Sequence, residues 1–329
     1  MATAKRLGPA TQRVAGRLSA HLGPIVLVAM LVAASQLSPY FLQLSNLSNL
    51  LRQVSENGIV AVGMTLVILT AGIDLSVGSV LALTNCLAAG LLVWNGMPLA
   101  AIIPAVLAAG LLLGGVNGVT ITRGKIEPFV VTLAMMTVGR GLAYLYSGGR
   151  PIVIADTPGH SAFLALGRDI AVTPNWGIPV PALFFLATAG LGVILLRFTA
   201  LGRRLFAIGG NPEAARLSGM PVGRTLVVTY ALCGGLAALA GLLHASMLNC
   251  GHPNEGMGLE LNAIAATVIG GTSLAGGVGS VGGTVIGAMI IGILNNVLQL
   301  RDVNSYIQML LKGVVIVLAV LAQRRRKRG

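Results

Sequence analysis

The side chains able to do chemistry are few, and one stands out by position. Asp74 interrupts the apolar run TLVILTAGIDLSVGSVLALTN (65–85). An ionised Asp at the centre of a bilayer costs about 2.5–3.5 kcal/mol, so its presence needs a cause. Three causes are open. Asp accepts hydrogen bonds from backbone N–H groups two or three residues on, and its charge suits a helix N-terminus, which makes it a cap. Interrupted helices also mark substrate paths, which makes Gly72, Asp74 and Ser76 a candidate gate. A proton relay is the weakest of the three, because no second acidic residue lies within any expected span core. The amides Asn85, Asn117, Asn295 and Asn296 fall in apolar segments, where they are candidates to line the path of a polar solute. No catalytic or metal set emerges. The four histidines (His21, His160, His244, His252) lack ligand spacing. Cys86, Cys233 and Cys250 read as small buried hydrophobes. The chain holds no GxxxxGK[ST] phosphate loop.

The elements that must position these residues are set by composition. Of 329 residues, 55% are hydrophobic and 9% charged, against roughly 25% charged in soluble domains. The mean hydropathy is +0.87. Such a chain cannot dress a water-facing surface. The pattern gives an all-α polytopic membrane protein of about ten transmembrane helices, with spans at 22–38, 55–71, 76–94, 99–120, 128–147, 178–197, 225–246, 259–274, 280–299 and 305–322. Residues 55–94 would reach about 60 Å as one helix, twice a hydrocarbon core, so the chain turns at AGIDLS. A basic N-terminus (1–21) and a basic tail (323–329) flank the membrane domain at 22–322.

Orientation follows from Lys and Arg. With both termini cytoplasmic, sixteen basic residues lie inside and four (Arg52, Arg150, Arg168, Arg301) outside, leaving Arg140 and Lys312 within spans. That asymmetry fixes topology. Tyr40, Trp94, Tyr144, Tyr146, Trp176 and Tyr306 all fall at the outer ends, where such rings favour the headgroup level. The net charge of +13 is thus a membrane-orientation signal and not a nucleic-acid surface. The two long connections are an outer loop, 148–177, and an inner loop, 198–224.

Within the inner loop, GGNPEAARLSGMP (209–221) spells a short capped helix. Asn211 is the N-cap, Pro212 takes the first turn and Glu213 favours its positive end. Ala214, Ala215, Arg216, Leu217 and Ser218 complete it, with Ala214 and Leu217 as an apolar strip, and Gly219 suits the left-handed stop. Further on, Gly279, Gly283 and Gly287 recur every four residues and predict a face for close helix packing.

These segments together resemble the membrane permease subunit of ribose-type ABC sugar importers. The residues that carry the likeness are GMTLVILTAGIDLSVGS (63–79), GGVNGVTITRGKIEPFVVTLAMMTVGRGLAYLYSGGRPI (114–152), GRRLFAIGGNPEAARLSGM (202–220) and VIGGTSLAGGVGSVGGTVIGA (268–288). The likeness runs from about residue 40 to 320. It implies a bacterial inner-membrane protein that works beside a second copy or relative. It also implies a cytoplasmic ATPase with two nucleotide-binding halves, which carries the ATP and Mg, and a periplasmic sugar-binding protein. The chain itself is then no enzyme and carries no cofactor, and residues 211–219 are the coupling helix to the ATPase. A nucleoside or branched-chain amino-acid permease of related type, or an ion-coupled carrier, are the rival readings.

Overall fold

The computed structural model describes residues 9–154, 158–173 and 176–326; the extreme ends of both basic termini lie outside the described residues. Every segment expected to span corresponds to a helix. They are α1 (Pro9–Leu37), α2 (Leu44–Leu69), α3 (Val77–Val93), α4 (Leu99–Gly124) and α5 (Pro128–Ser147), then, past the first long loop, α7 (Val180–Phe198), α10 (Val222–Leu248), α11 (Leu259–Ile269), α12 (Val281–Leu300) and α13 (Ser305–Arg326). Five of these (α4, α5, α7, α10 and α12) are long and apolar enough to cross a membrane, and shorter apolar helices accompany them.

Three differences from the sequence expectation matter. First, α2 begins at Leu44 and not near 55, because the amphipathic start LSNLSNLLRQ is helical despite its polarity. Second, α11 has 11 residues; at about 16 Å it reaches half of a hydrocarbon core. Gly258 opens it at φ 76° and Gly271, at φ 93°, follows its end. Third, the long loops are structured. The first, expected outside, holds β1 (Ile152–Val153), α6 (His160–Ala165) and the hairpin of β2 (Asp169–Thr173) with β3 (Trp176–Pro179). Strand β1 pairs antiparallel with β4 (Cys250–Gly251), so the description all-α omits four short strands among the described residues. The inner loop holds α8 (Ala200–Gly210) as well as α9 (Pro212–Leu217).

Helix α2 is the centre. Every residue from Asn57 to Leu69 is buried, the signature of a helix enclosed by other helices. It packs against α7, α10, α11 and α12, while α10 lies along α3 and α4. The α4–α10 approach is set by a second four-residue glycine repeat, Gly110, Gly114 and Gly118. A Cβ on Gly114 would collide with the Tyr230 carbonyl, and one on Gly118 would sit 2.5 Å from Val227 Cα. Small residues let backbones come this close without a hydrophobic driving force.

Candidate functional site

The Asp74 turn is the first site. α2 ends at Leu69, Ala71 takes a left-handed φ of 63°, and α3 starts at Val77. The carboxylate does accept a backbone N–H two residues on: Asp74 Oδ1 takes Ser76 N at 2.9 Å and Ser76 Oγ at 2.6 Å. The cap position itself belongs to Ser76, so Asp74 ties the turn one step before the helix. Its neighbours come from three helices. Asn117 Nδ2 on α4 donates to Ser76 Oγ at 3.0 Å, and Thr132 Oγ1 on α5 donates to the Ile73 carbonyl at 3.2 Å. From α10, the Tyr230 hydroxyl covers Gly72 so closely that a Cβ there would run into it. Asp74 is 1% exposed.

Three sequence motifs meet just beside this turn. Gly277 N donates to the Leu69 carbonyl at 3.0 Å. A Cβ on Gly209, in the last turn of α8, would collide with the same carbonyl oxygen. A Cβ on Gly276 would lie 2.9 Å from Ala71 N and 2.9 Å from Gly209 O, and one on Gly277 would lie 3.0 Å from Gly210 N. The α2–α3 turn, the 270–279 turn and the end of α8 therefore touch backbone to backbone, and nothing larger than hydrogen fits at Gly209.

α9 continues directly from this junction. Asn211 Oδ1 accepts Ala214 N at 3.0 Å, Pro212 begins the helix, and Gly219 sits at φ 76°. Ala215 is buried with Ile208 and Val222 in a small core that fixes α9 to α8 and α10. Ala214 and Leu217 face out, Leu217 at 84% exposure, and Glu213, Arg216 and Ser218 are also exposed. An exposed leucine beside an arginine on a helix of six residues is a surface suited to a protein partner.

The glycines before and within α12 lie against α11 and the turn after it. A Cβ on Gly283 would collide with the Gly270 carbonyl, one on Gly287 with the Ala266 carbonyl, and one on Gly279 would sit 2.6 Å from Thr272. The four amides do not form one set. Asn117 serves the Asp74 turn, and Asn85 on α3 holds loop backbone, with His252 N donating to its Oδ1 at 2.7 Å. Asn296 exchanges hydrogen bonds of 2.8 and 3.0 Å with Asn46 near the far end of α2, and Asn295 lies beside it on α12.

Sequence reasoning missed a charged cluster inside the bundle, mid-way along α2 and about 6 to 10 Å short of the C-terminal ends of α10 and α5. After α10 the chain turns back along α3. Gly251 packs against Cys86 and Ala89, Asn85 grips His252, and Gly256 meets Gly78. Residues 249–258 thus retrace α3 from Ala89 to Gly78, about 16 Å, before α11 begins. Arg140, twelve residues into α5, donates from Nη1 to the Pro253 carbonyl and, at 2.7 Å, to the Glu255 carbonyl. Tyr144 donates to Asn254 Oδ1. Glu56, thirteen residues before the end of α2, lies 2.8 Å from His244 Nδ1, and Glu255 Oε2 lies 3.1 Å from His244 Nε2. A ring that faces a carboxylate from each nitrogen serves both only as the doubly protonated imidazolium. The signal was present in the sequence: Glu56, Arg140 and His244 each put a titratable group into an apolar helix, and Glu56 supplies the acidic residue taken to be missing from the spans.

The family model described as branched-chain amino acid transport system / permease component matches residues 46–320. The chain is 46% identical over 298 residues to the ribose import permease protein of Haemophilus influenzae, covering 91% of each chain. It is 48% identical over 306 residues to the ribose import permease protein of Bacillus subtilis (strain 168), covering 93% of each. It is 36% identical to the xylose transport system permease protein of Escherichia coli (strain K12), covering 97% of this chain and 96% of that one. No solved structure matches the chain.

Proposed function

The chain belongs to the family of branched-chain amino acid transport system / permease components, and from that premise we propose that it is the membrane-spanning subunit of an ATP-driven importer moving a monosaccharide such as ribose inward by alternating access. The observation that carries this reading is the likeness, over nine-tenths of the chain, to permeases named for ribose import. The family description mentions branched-chain amino acids, but the relatives that match along the whole chain are named for ribose and xylose.

In this reading the chain sits in the bacterial inner membrane with both termini cytoplasmic. Ten helices form the membrane domain, with α11 and the 249–258 loop together filling one crossing. A second copy or relative stands beside it. A cytoplasmic ATPase with two nucleotide-binding halves, which holds the ATP and Mg, docks on α9, and a periplasmic sugar-binding protein delivers the substrate to the other face. The exposed Leu217 enters a groove of the ATPase, while Glu213 and Arg216 orient the contact.

Three experiments test the reading. Reconstituted with its ATPase and binding protein, the chain takes up ribose only with ATP; uptake that survives ATP depletion but collapses with an ion gradient would assign it to the secondary carriers. Leu217→Asp places an unpaired charge in the contact, which is strongly disfavoured. That variant reaches the membrane but loses co-purification with the ATPase and ATP-driven uptake. Orientation is checked by single cysteines in a background free of the native three. Ser161→Cys reacts with an impermeant thiol reagent in intact cells, and Ser218→Cys only after lysis.

A further inference from the structure

The charged cluster has a face that is not buried. Glu255, Glu260 and Arg140 are each only partly covered, Asn254 is exposed, Tyr144 is 37% exposed and Met257 is 66% exposed. The depth of this face is fixed by its helices. Arg140 lies about 18 Å from the start of α5 and about 10 Å from its end, and Glu56 lies mid-way along α2. Non-helical backbone at such depth is tolerated only where protein buries it or where it borders a water-filled cavity. Charged side chains at that depth likewise face the interior of an assembly or water, and not hydrocarbon. The 249–258 loop is both non-helical and flanked by partly exposed charges. Its outward face therefore borders water or a neighbouring protein copy and not hydrocarbon, and its charges favour water.

The chemistry of that face is specific. An arginine, two carboxylates, an amide and a phenol ring lie within one loop, the first turn of α11 and the adjoining turn of α5. Carboxylates and amides offer the acceptors, and arginine the donors, that a ring of vicinal hydroxyls satisfies, while the tyrosine ring offers a flat apolar surface to the sugar C–H groups. An independent sign of incomplete pairing lies behind it. His244, 8% exposed, points Nε2 at Glu255 within ion-pair range but without hydrogen-bond alignment.

We propose that Arg140, Tyr144, Asn254, Glu255 and Glu260 form a monosaccharide-binding station in a water-filled path, at the point where the re-entrant loop meets α11. The proposal rests on the import reading above and names the residues that would meet the sugar. Asn85, His244 and Glu56 are positioning residues: they hold the loop from behind and do not touch the solute.

The test uses the full complex in proteoliposomes, with Met257→Cys in the cysteine-free background and a negatively charged methanethiosulfonate as probe. Ribose-loaded binding protein and ATP are supplied during labelling. Met257→Cys reacts, and turnover with ribose slows that reaction about tenfold, as occupancy of a site at many times its Kd would. Leu112→Cys and Leu191→Cys, as exposed in the isolated chain at 65% and 67%, do not react. Should Met257→Cys fail to accumulate, Leu261→Cys, 50% exposed in the first turn of α11 beside Glu260, replaces it. Failure of either cysteine to react above the two comparison positions would show that the face is dry and would overturn the proposal. Reaction that ribose leaves unchanged would show an aqueous surface without a sugar station and would overturn it equally. Glu255→Gln gives the second readout, a changed ratio of ribose to xylose uptake at normal ATPase co-purification; an unchanged ratio removes Glu255 from the station. If the import reading itself is wrong, the unmodified chain shows no ATP-driven ribose uptake at all, which separates the two failures.

Discussion

The junction beside Asp74 and the cluster around Arg140 solve the same problem in opposite ways. Each joins segments remote in sequence where the helices are interrupted. At the junction the joining groups are carbonyls, amide N–H groups and glycine Cα atoms, so three segments meet with no side chain between them. At the cluster they are long charged side chains, which hold a loop from α5 and α10, with Glu56 on α2 paired to the His244 that faces it. A backbone contact has no rotamer to change and transmits displacement directly. A side-chain contact tolerates displacement but is sensitive to charge. The junction is therefore suited to passing movement from α9 to α2 and α3, and the cluster to holding a loop in a polar environment.

That contrast is broken most severely at Gly209. Gly209→Ala drives a methyl group into the Leu69 carbonyl, an overpacking on the order of 1–3 kcal/mol with no flexible side chain to yield. ATP-driven uptake is expected to fall by about tenfold or more on that scale. The neighbouring Gly210→Ala is the matched control, since a Cβ there meets nothing within 4 Å. Equal uptake in the two variants, measured in the same proteoliposomes, would show that the junction is not tightly coupled.

A loss of stability with a smaller effect on uptake is expected at the cluster. Arg140→Met removes the donor to two loop carbonyls, and hydrogen bonds to charged groups contribute about 1.5–3 kcal/mol each. The expected result is faster hydrogen exchange confined to residues 249–258 and a lowered melting temperature, with α9 and its exchange unchanged. Exchange that rises at α9 as well would mean that the two regions are a single cooperative unit and that the contrast drawn here is false.

These two regions were not equally legible in the sequence. The turn at AGIDLS follows from length alone, because 55–94 cannot be one helix, and α9 follows from its caps at Asn211, Pro212 and Gly219. The hydropathy of 259–274 reads as a span because apolarity does not record where a helix stops, and glycines on both sides reduce α11 to half a crossing. α8 escaped notice because its two arginines mask an amphipathic pattern that Thr199 caps, with Gly202 N donating to its Oγ1 at 3.2 Å. The cluster was the hardest to see. Glu56, Arg140, His244 and Glu255 are spread over 200 residues, and only the packing of α2, α5 and α10 brings them together. The convergence of Leu69, Gly209 and Gly277 is equally non-local, since backbone contacts leave no pattern of polarity to read.

The smallest effect is expected where the opening oddity lies. Asp74 contributes through Oδ1, which holds the Ser76 amide and hydroxyl; its other oxygen faces the Cys233 thiol and has no aligned hydrogen-bond partner. An asparagine in the same rotamer keeps the Oδ1 acceptor for both Ser76 groups. Asn also serves about as well as Asp at such turns. Asp74→Asn is therefore expected to retain at least about half of the uptake and to leave the melting temperature nearly unchanged, within the few tenths of a kcal/mol that separate the two residues at a cap. Asp74→Leu leaves the Ser76 N–H and hydroxyl unsatisfied in a buried turn, at about 1–3 kcal/mol for each group, and lowers the amount of folded protein. Normal membrane levels of Asp74→Asn with no uptake would show that the charge itself acts in transport. The junction would then share the electrostatic character of the cluster, and the distinction between the two regions would fail at its centre.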